Sequence, residues 1–277
     1  MKRILTLLTG ITMGLSAMAQ SDSTEKNKPD TIKIGSMVII RNQGEESGGR
    51  NQRVHIRTRA RNYKPSAITT NWLILDLGFA NYSDNTDYGA TAASGFTGPG
   101  VNEDVMKLRT GKSINVNLWL FMQRLNMVKN VVNLKYGLGL ELNNYRYRRP
   151  LVYEIDPTRV VLDNSTNYSK NKLAADYITV PMMLNFNFTP KRKNGFGLSV
   201  GASAGYLYNS RQKTITDAKG KNKVHDDFDL NRWKLSYIGE LQLGPINLYG
   251  SLASESMFKK GFDQTPYTVG IRFSNLH

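Results

Sequence analysis

The sequence predicts an all-β protein: an antiparallel, eight-stranded transmembrane β-barrel with a short N-terminal periplasmic extension. Three observations predict it. Apolar and polar residues alternate with period two along about eight segments after residue 72, as in strands that turn each face to a different medium. The apolar faces run to around ten residues, where strands in ordinary globular domains average about 5–6. The connections alternate long and short, as they do when one barrel rim carries loops and the other tight turns.

Three parts follow along the chain. Residues 1–19 read as a signal peptide: Lys2 and Arg3 precede an apolar run over 4–15, and Ala17-Met18-Ala19 gives a small-x-small cleavage pattern before Gln20. That run is shorter than the roughly 20 apolar residues of a membrane-spanning helix. The chain has no cysteine, which excludes a cysteine-linked lipid anchor, disulfides and thiolate metal sites. Residues 20–70 read as a basic periplasmic segment, partly disordered. Within it, 21–30 is polar, 31–40 suits a short hairpin about Gly35-Ser36, and Arg53-Val54-His55-Ile56-Arg57 alternates as a further short strand. Residues 71–277 are assigned to the barrel. The mean hydropathy of −0.42 is no obstacle, because alternating strands average to a weak signal.

The strands justify themselves in order. Leu73, Leu75, Leu77 and Phe79 share one face, opposite Asp76, Gly78 and Ala80. Ile114, Val116, Leu118, Leu120 and Met122 oppose Asn115, Asn117, Trp119, Phe121 and Gln123. Leucines at 134, 138, 140 and 142, with Val132 and Tyr136, oppose Asn133, Lys135, Gly137, Gly139 and Glu141. Ile178, Val180, Met182, Leu184 and Phe186 oppose Thr179, Asn185 and Asn187. Phe196, Leu198, Val200, Tyr206 and Tyr208 oppose Gly197, Ser199, Gly201, Ser203 and Gly205. Trp233, Leu235, Tyr237 and Leu241 oppose Lys234, Ser236 and Glu240; Ile246, Leu248 and Leu252 oppose Asn247 and Ser251; Tyr267, Val269, Ile271 and Phe273 oppose Thr268, Gly270 and Arg272. Phe196 and Tyr206 lie ten residues apart on one face, about 25 Å at ~3.3 Å per residue and a tilt near 40°, the height of a lipid-facing band between aromatic girdles.

Long connections are expected over 83–112, 148–171, 211–231 and 254–265, and short ones over 124–130, 189–195 and at Gly244-Pro245. With long loops outside, both termini are periplasmic and the protein sits in an outer membrane. The net charge of +15 on an exported chain points to outer-membrane lipid and lipopolysaccharide phosphates rather than nucleic acid. Two clusters are the candidate contacts with lipid or partner. Arg50, Arg53, Arg57, Arg59, Arg61 and Lys64 lie before the first barrel strand, where a periplasmic envelope protein would dock. Tyr145, Arg146, Tyr147, Arg148 and Arg149 rise from the third barrel strand.

The inward set contains three acids, Asp76, Glu141 and Glu240, and three bases, Lys135, Lys234 and Arg272. An eight-stranded barrel is just wide enough for side chains to fill it. Buried charges of one sign cost several kcal/mol each, so acids and bases are expected to pair inside. A structural plug of ion pairs and a narrow ion path through rearranging pairs both fit, and a lipid-binding barrel remains a rival. Catalysis is not predicted. His55, His225 and His277 are not held on strands beside a Ser or Asp, so no Ser–His hydrolase is supported. His225-Asp226-Asp227 with Asp229 reads as a solvated loop rather than a metal site. Gly111-Lys112-Ser113 lacks the first glycine of a phosphate-binding loop, since that position is Met106. No cofactor is expected.

The segments Trp72-Leu73-Ile74-Leu75-Asp76-Leu77-Gly78-Phe79-Ala80-Asn81, Tyr177-Ile178-Thr179-Val180-Pro181-Met182-Met183-Leu184, Gly195-Phe196-Gly197-Leu198-Ser199-Val200-Gly201 and Tyr267-Thr268-Val269-Gly270-Ile271-Arg272-Phe273 resemble the PorT-like outer-membrane β-barrel family, itself similar to small OmpA/OmpX-type barrels. The resemblance covers roughly residues 72–273. It implies a non-enzymatic envelope barrel with a structural or interaction role, in some relatives accessory to protein secretion. The chain departs from the family's usual aromatic end, because Ser274-Asn275-Leu276-His277 follows Phe273.

Overall fold

The computed structural model describes residues 66–190, 195–218, 220–244 and 246–273, together with three strands at 30–34, 37–41 and 55–58. The chain divides into two compact units, Met1–Tyr63 and Lys64–His277. In the first, β1 (Asp30–Ile34) and β2 (Met37–Arg41) form an antiparallel hairpin, and β3 (His55–Thr58) pairs with β2. The predicted signal peptide and residues Arg50, Arg53, Arg59, Arg61 and Lys64 lie outside the described residues, as does 274–277.

The second unit is a closed ring. In chain order its strands are β4 (Ile68–Asp84), β5 (Ile114–Val128), β6 (Val132–Arg146), a hairpin of β7 (Leu151–Glu154) and β8 (Arg159–Leu162), then β9 (Tyr168–Asn187), β10 (Phe196–Thr216), β11 (Gly220–His225), β12 (Trp233–Leu243), β13 (Ile246–Ala253) and β14 (Gln264–Phe273). Eight of these make the ring, β4-β5-β6-β9-β10-β12-β13-β14, each antiparallel to its neighbours, and β14 pairs back onto β4. Closure removes the exposed sheet edges that would otherwise need protection.

The alternation decides which face turns outward. Tyr237, Val269 and Trp233 on the outside are 67, 62 and 65 % exposed, whereas inward Asp76, Asn133 and Ser199 are at most 1 % exposed. Such a wall is stable only where its surroundings are themselves apolar. The two faces exchange at irregularities the alternation does not announce. The β5–β6 register shifts between Trp119 and Phe121. Phe121 therefore stays outside, its ring 5.9 Å from Trp72, and Met122 turns in, 4 % exposed. This reverses the faces expected for those two residues and for Gln123, which pairs with Tyr136 on the outer face, because a bulge moves every later side chain to the other face.

At one rim the turns are tight. Lys129 and Asn130 between β5 and β6 both have positive φ, the geometry of a twisted two-residue hairpin turn. At the other rim the long connections are folded. Helices α1 (Tyr88–Ala93) and α2 (Glu103–Met106), the β7–β8 hairpin and the β10–β11 hairpin all stand there. The segment from 211 is thus partly strand, with β10 continuing to Thr216 and pairing with β11. These pieces share an apolar core that includes Phe96, Leu151, Tyr153, Val160, Phe228, Leu230, Phe258 and Phe262. Phe258 and Phe262 meet edge to face at 5.2 Å, and Tyr153 packs edge-on to Phe228 at 5.5 Å. Burying such side chains stabilises by about 1.5–3 kcal/mol each, enough to hold a cap over the rim.

Glycines on the inner wall make room for this packing. Gly78 and Gly270 face each other across β4 and β14 beneath the Tyr249 ring. A Cβ on Gly270 would come within 2.3 Å of the Leu77 carbonyl oxygen, and one on Gly201 would strike the Met182 carbonyl oxygen at 2.0 Å. Their role is close backbone approach in a narrow barrel, and they make no phosphate loop.

Candidate functional site

Inside the ring, strand register sets the chemistry. Arg272 on β14 lies directly opposite Asp76 on β4, and its guanidinium grips that carboxylate with two bonds, Nε to Oδ1 at 2.7 Å and Nη2 to Oδ2 at 2.8 Å. Asn117 Nδ2 and Trp119 Nε1 donate to the same Oδ2 at 3.1 and 2.7 Å. The remaining arm of Arg272, Nη1, reaches Glu240 Oε2 at 2.6 Å, and Lys135 Nζ donates to both oxygens of Glu240 at 2.7 Å. Trp119 and Tyr249 flank the guanidinium, with ring centroids 5.5 and 6.0 Å from its carbon.

A second pair joins Lys234 Nζ to Glu141, whose Oε1 also accepts from Asn143 Nδ2 at 3.0 Å. Strands β6 and β12 are not neighbours in the ring, yet they exchange charges reciprocally. β6 supplies Lys135 and Glu141, and β12 supplies Glu240 and Lys234. The two pairs therefore cross the lumen as struts. All six predicted interior residues are brought together into these two groups, and their charges sum to zero.

Asparagines extend the network. Asn115 Nδ2 donates to Asn117 and Asn143 at 2.9 and 2.8 Å, and Asn115 Oδ1 accepts from the Tyr249 hydroxyl. Asn133 Nδ2 donates to Asn185 Oδ1 at 3.0 Å, and Asn185 passes a bond to Ser199. The cavity left among Trp119, Glu141, Glu240, Tyr249 and Arg272 is about 30 Å³, room for roughly one water molecule. Such an arrangement can brace and block a lumen. Every carboxylate in it accepts from a cation, so none is free to act as a base.

The second predicted cluster is divided by the structure. Tyr145 and Tyr147 were expected to contact lipid or a partner, but both are 2 % exposed. They are corrected to core residues, because the rings complete the apolar cap. Tyr147 and Tyr153 share a hydrogen bond between hydroxyls at 2.6 Å, and burial pushes both hydroxyls to higher pKa, so they remain neutral. Arg146 is half-buried and donates to the Ser169 carbonyl at 2.8 Å, while Arg148 and Arg149 are exposed. With Arg109, these three arginines line a hollow of about 220 Å³. Arg57 falls on β3, and its side chain is not among those described.

His225 ends β11 rather than lying in a loop, and its Nδ1 is 3.2 Å from Asn209 Oδ1. His55 opens β3. Asp227 pairs with Lys259 at 3.1 Å and Asp229 with Lys260 at 3.3 Å. The Asp229 backbone N–H and the Lys259 ammonium hold the Asp227 carboxyl below the usual carboxylate range. No group of three or more metal-ligating side chains occurs among the described residues. Sequence reasoning missed Arg109 and the cap aromatics Phe96, Phe228, Phe258 and Phe262. Their one signal is large apolar residues in segments otherwise rich in turn formers.

The family model described as "Outer membrane protein beta-barrel domain" matches residues 76–259, more than half of the chain. No curated protein matches it.

Proposed function

The chain belongs to the outer membrane protein β-barrel domain family, and on that premise we propose that it is a closed, non-enzymatic barrel that works through its outer surfaces. Its role is structural or interaction-based in the envelope, as an accessory to protein secretion or assembly. One observation carries this reading: two charge-paired struts cross the lumen, and the cavity beside them is about 30 Å³. A path that must stay filled with neutralised charge does not offer a hydrated ion a site to enter. The resemblance to PorT-like barrels supports the secretion accessory role, and an export signal at residues 1–19 fits it. With short turns on the periplasmic rim, the termini lie in the periplasm and the capped rim faces outward.

Planar-bilayer recording on the full-length protein tests the closed state. The expected result is silence over a wide voltage range. Steady currents that vanish in Asp76→Asn or Glu240→Gln variants would replace this reading with a narrow ion path. Cross-linking in intact cells, followed by detergent purification, tests the accessory role. A stoichiometric envelope partner is expected, and recovery of the barrel alone would remove that role.

A further inference from the structure

Four cationic residues stand in one row across four strands of the outer rim. Arg146 on β6 pairs with Lys172 on β9, Lys172 with Lys213 on β10, and Lys213 with Lys223 on β11. Lys170 and Lys221 flank the row one step further out, both opposite Ile215. All six point to the outer face. The inward positions between them hold buried Tyr145, Asn171, Leu173 and Gln212, and the register shift after Leu207 keeps Arg211, Lys213 and Ile215 on the outside.

Like charges directly opposite on neighbouring strands destabilise a sheet. Here no ion pair within the described residues offsets it: none of the six has a carboxylate within ion-pair distance. Of the acids nearest them, Asp176 is taken by Arg211, and Asp217 stands at the hairpin tip accepting from Asn167. Two of the cations are already aimed, Arg146 onto the Ser169 carbonyl and Lys172 onto Asn144 Oδ1. A row of this kind is stable in the presence of anions from outside the chain.

Height selects the anion. The outward apolar band on β9 and β10 ends at Ile178 and Tyr208. Lys172 lies six residues beyond Ile178, which is about 15 Å along the barrel axis at ~3.3 Å per residue and a tilt near 40°. The headgroup layer of a phospholipid leaflet is only about 5–8 Å deep. Strands of 20 and 21 residues also far exceed the roughly 9–11 needed to span, so the excess length raises this row. We propose that the row Arg146, Lys172, Lys213 and Lys223 binds phosphates on the saccharide of a glycolipid in the leaflet beside the capped rim. This rests on the reading above that the capped rim faces outward.

The test uses the folded full-length protein in detergent and fluorescent lipopolysaccharide in mixed micelles. Its comparisons are phosphatase-treated lipopolysaccharide and phosphatidylglycerol, with heat-modifiable migration as the check on folding. Wild type is expected to retain intact lipopolysaccharide on the order of 100-fold better than the Lys172→Gln, Lys213→Gln, Lys223→Gln triple variant, given about a factor of five per basic residue. The corresponding triple arginine variant should retain it. Equal retention by the glutamine variant, or of the phosphatase-treated lipid, overturns the proposal. Equal retention of phosphatidylglycerol overturns the glycolipid assignment. Protease access to the β10–β11 hairpin in intact cells separates the premise from the inference. A shielded hairpin means the rim faces the other way and removes both, while an accessible hairpin without glycolipid binding removes only the inference.

Discussion

The barrel lumen and the cap above it are opposite solutions built from the same strands. In the lumen, asparagines and charge pairs fill the centre and leucines face out; in the cap, phenylalanines and tyrosines fill the centre and lysines face out. Strand β9 makes the change within a few residues. At Ile178 and beyond, apolar side chains are exposed and Thr179, Met183 and Asn185 are buried, whereas from 173 to 177 both faces are covered. The hydrophobic effect acts identically in both regions. What differs is the medium outside: where it is hydrocarbon the polar groups must find partners inside, and where it is water the apolar groups must.

That contrast can be broken most severely at Arg272. Arg272→Met leaves Asp76 and part of Glu240 without their cation and should destabilise the barrel by about 3–5 kcal/mol. Urea titration of the folded form in detergent reads this, and a loss below about 1 kcal/mol would mean the network braces nothing. Replacing Lys135 and Glu240 together by methionine and glutamine should cost less than either change alone, since no bare charge remains. Next in size is Phe258→Ala in the cap, worth about 3 kcal/mol. Its effect should appear as faster proteolysis of the long connections with the barrel midpoint unchanged; a matched fall in both would mean cap and barrel unfold as one. The lipid-facing wall comes third. Val200→Arg, near the middle of the apolar band on β10, should cost roughly 2–4 kcal/mol, whereas Ile215→Gln on the same strand and face beyond the band, uncharged because its partners are Lys170 and Lys221, should be nearly neutral. Similar costs at both sites would move the membrane boundary. The smallest effect is expected at Asp87, whose carboxylate caps α1 by accepting from the Ala90 N–H at 3.0 Å. Asp87→Ala should loosen that short helix by about 1 kcal/mol, visible only as local hydrogen exchange.

Alternation made the ring strands and their inward residues legible, because period two is imposed by the backbone itself. The identity of the interior acids and bases followed from it, but not their pairing. Lys135 could have met any of three carboxylates until ring order set β6 and β12 three strands apart across the lumen. Phe121 and Met122 were misassigned because a bulge leaves no compositional mark. Tyr145 and Tyr147 looked like an interfacial pair, with Arg146 between them and Arg148 and Arg149 following. Whether such a ring faces lipid or a neighbouring element depends on segments far away in the chain, such as that of Tyr82, whose ring lies 5.9 Å from Tyr145. The β10–β11 extension was hidden for a related reason: Lys213 and Ile215 alternate, but a strand raised into water carries too little apolar residue to stand out from a loop.

Arg272 and Asp76 also mark the seam where the last ring strand meets the first, 196 residues apart in the chain. Closure entropy over so long a span disfavours contact across that seam before the other strands are aligned. Chain entropy for so long a closure is spent before the guanidinium finds its carboxylate. The pair accordingly behaves as a clasp, contributing little to the approach to the native ring and much to keeping it shut. Its loss should be felt in how soon a finished barrel springs open, with the time taken to build one almost unchanged.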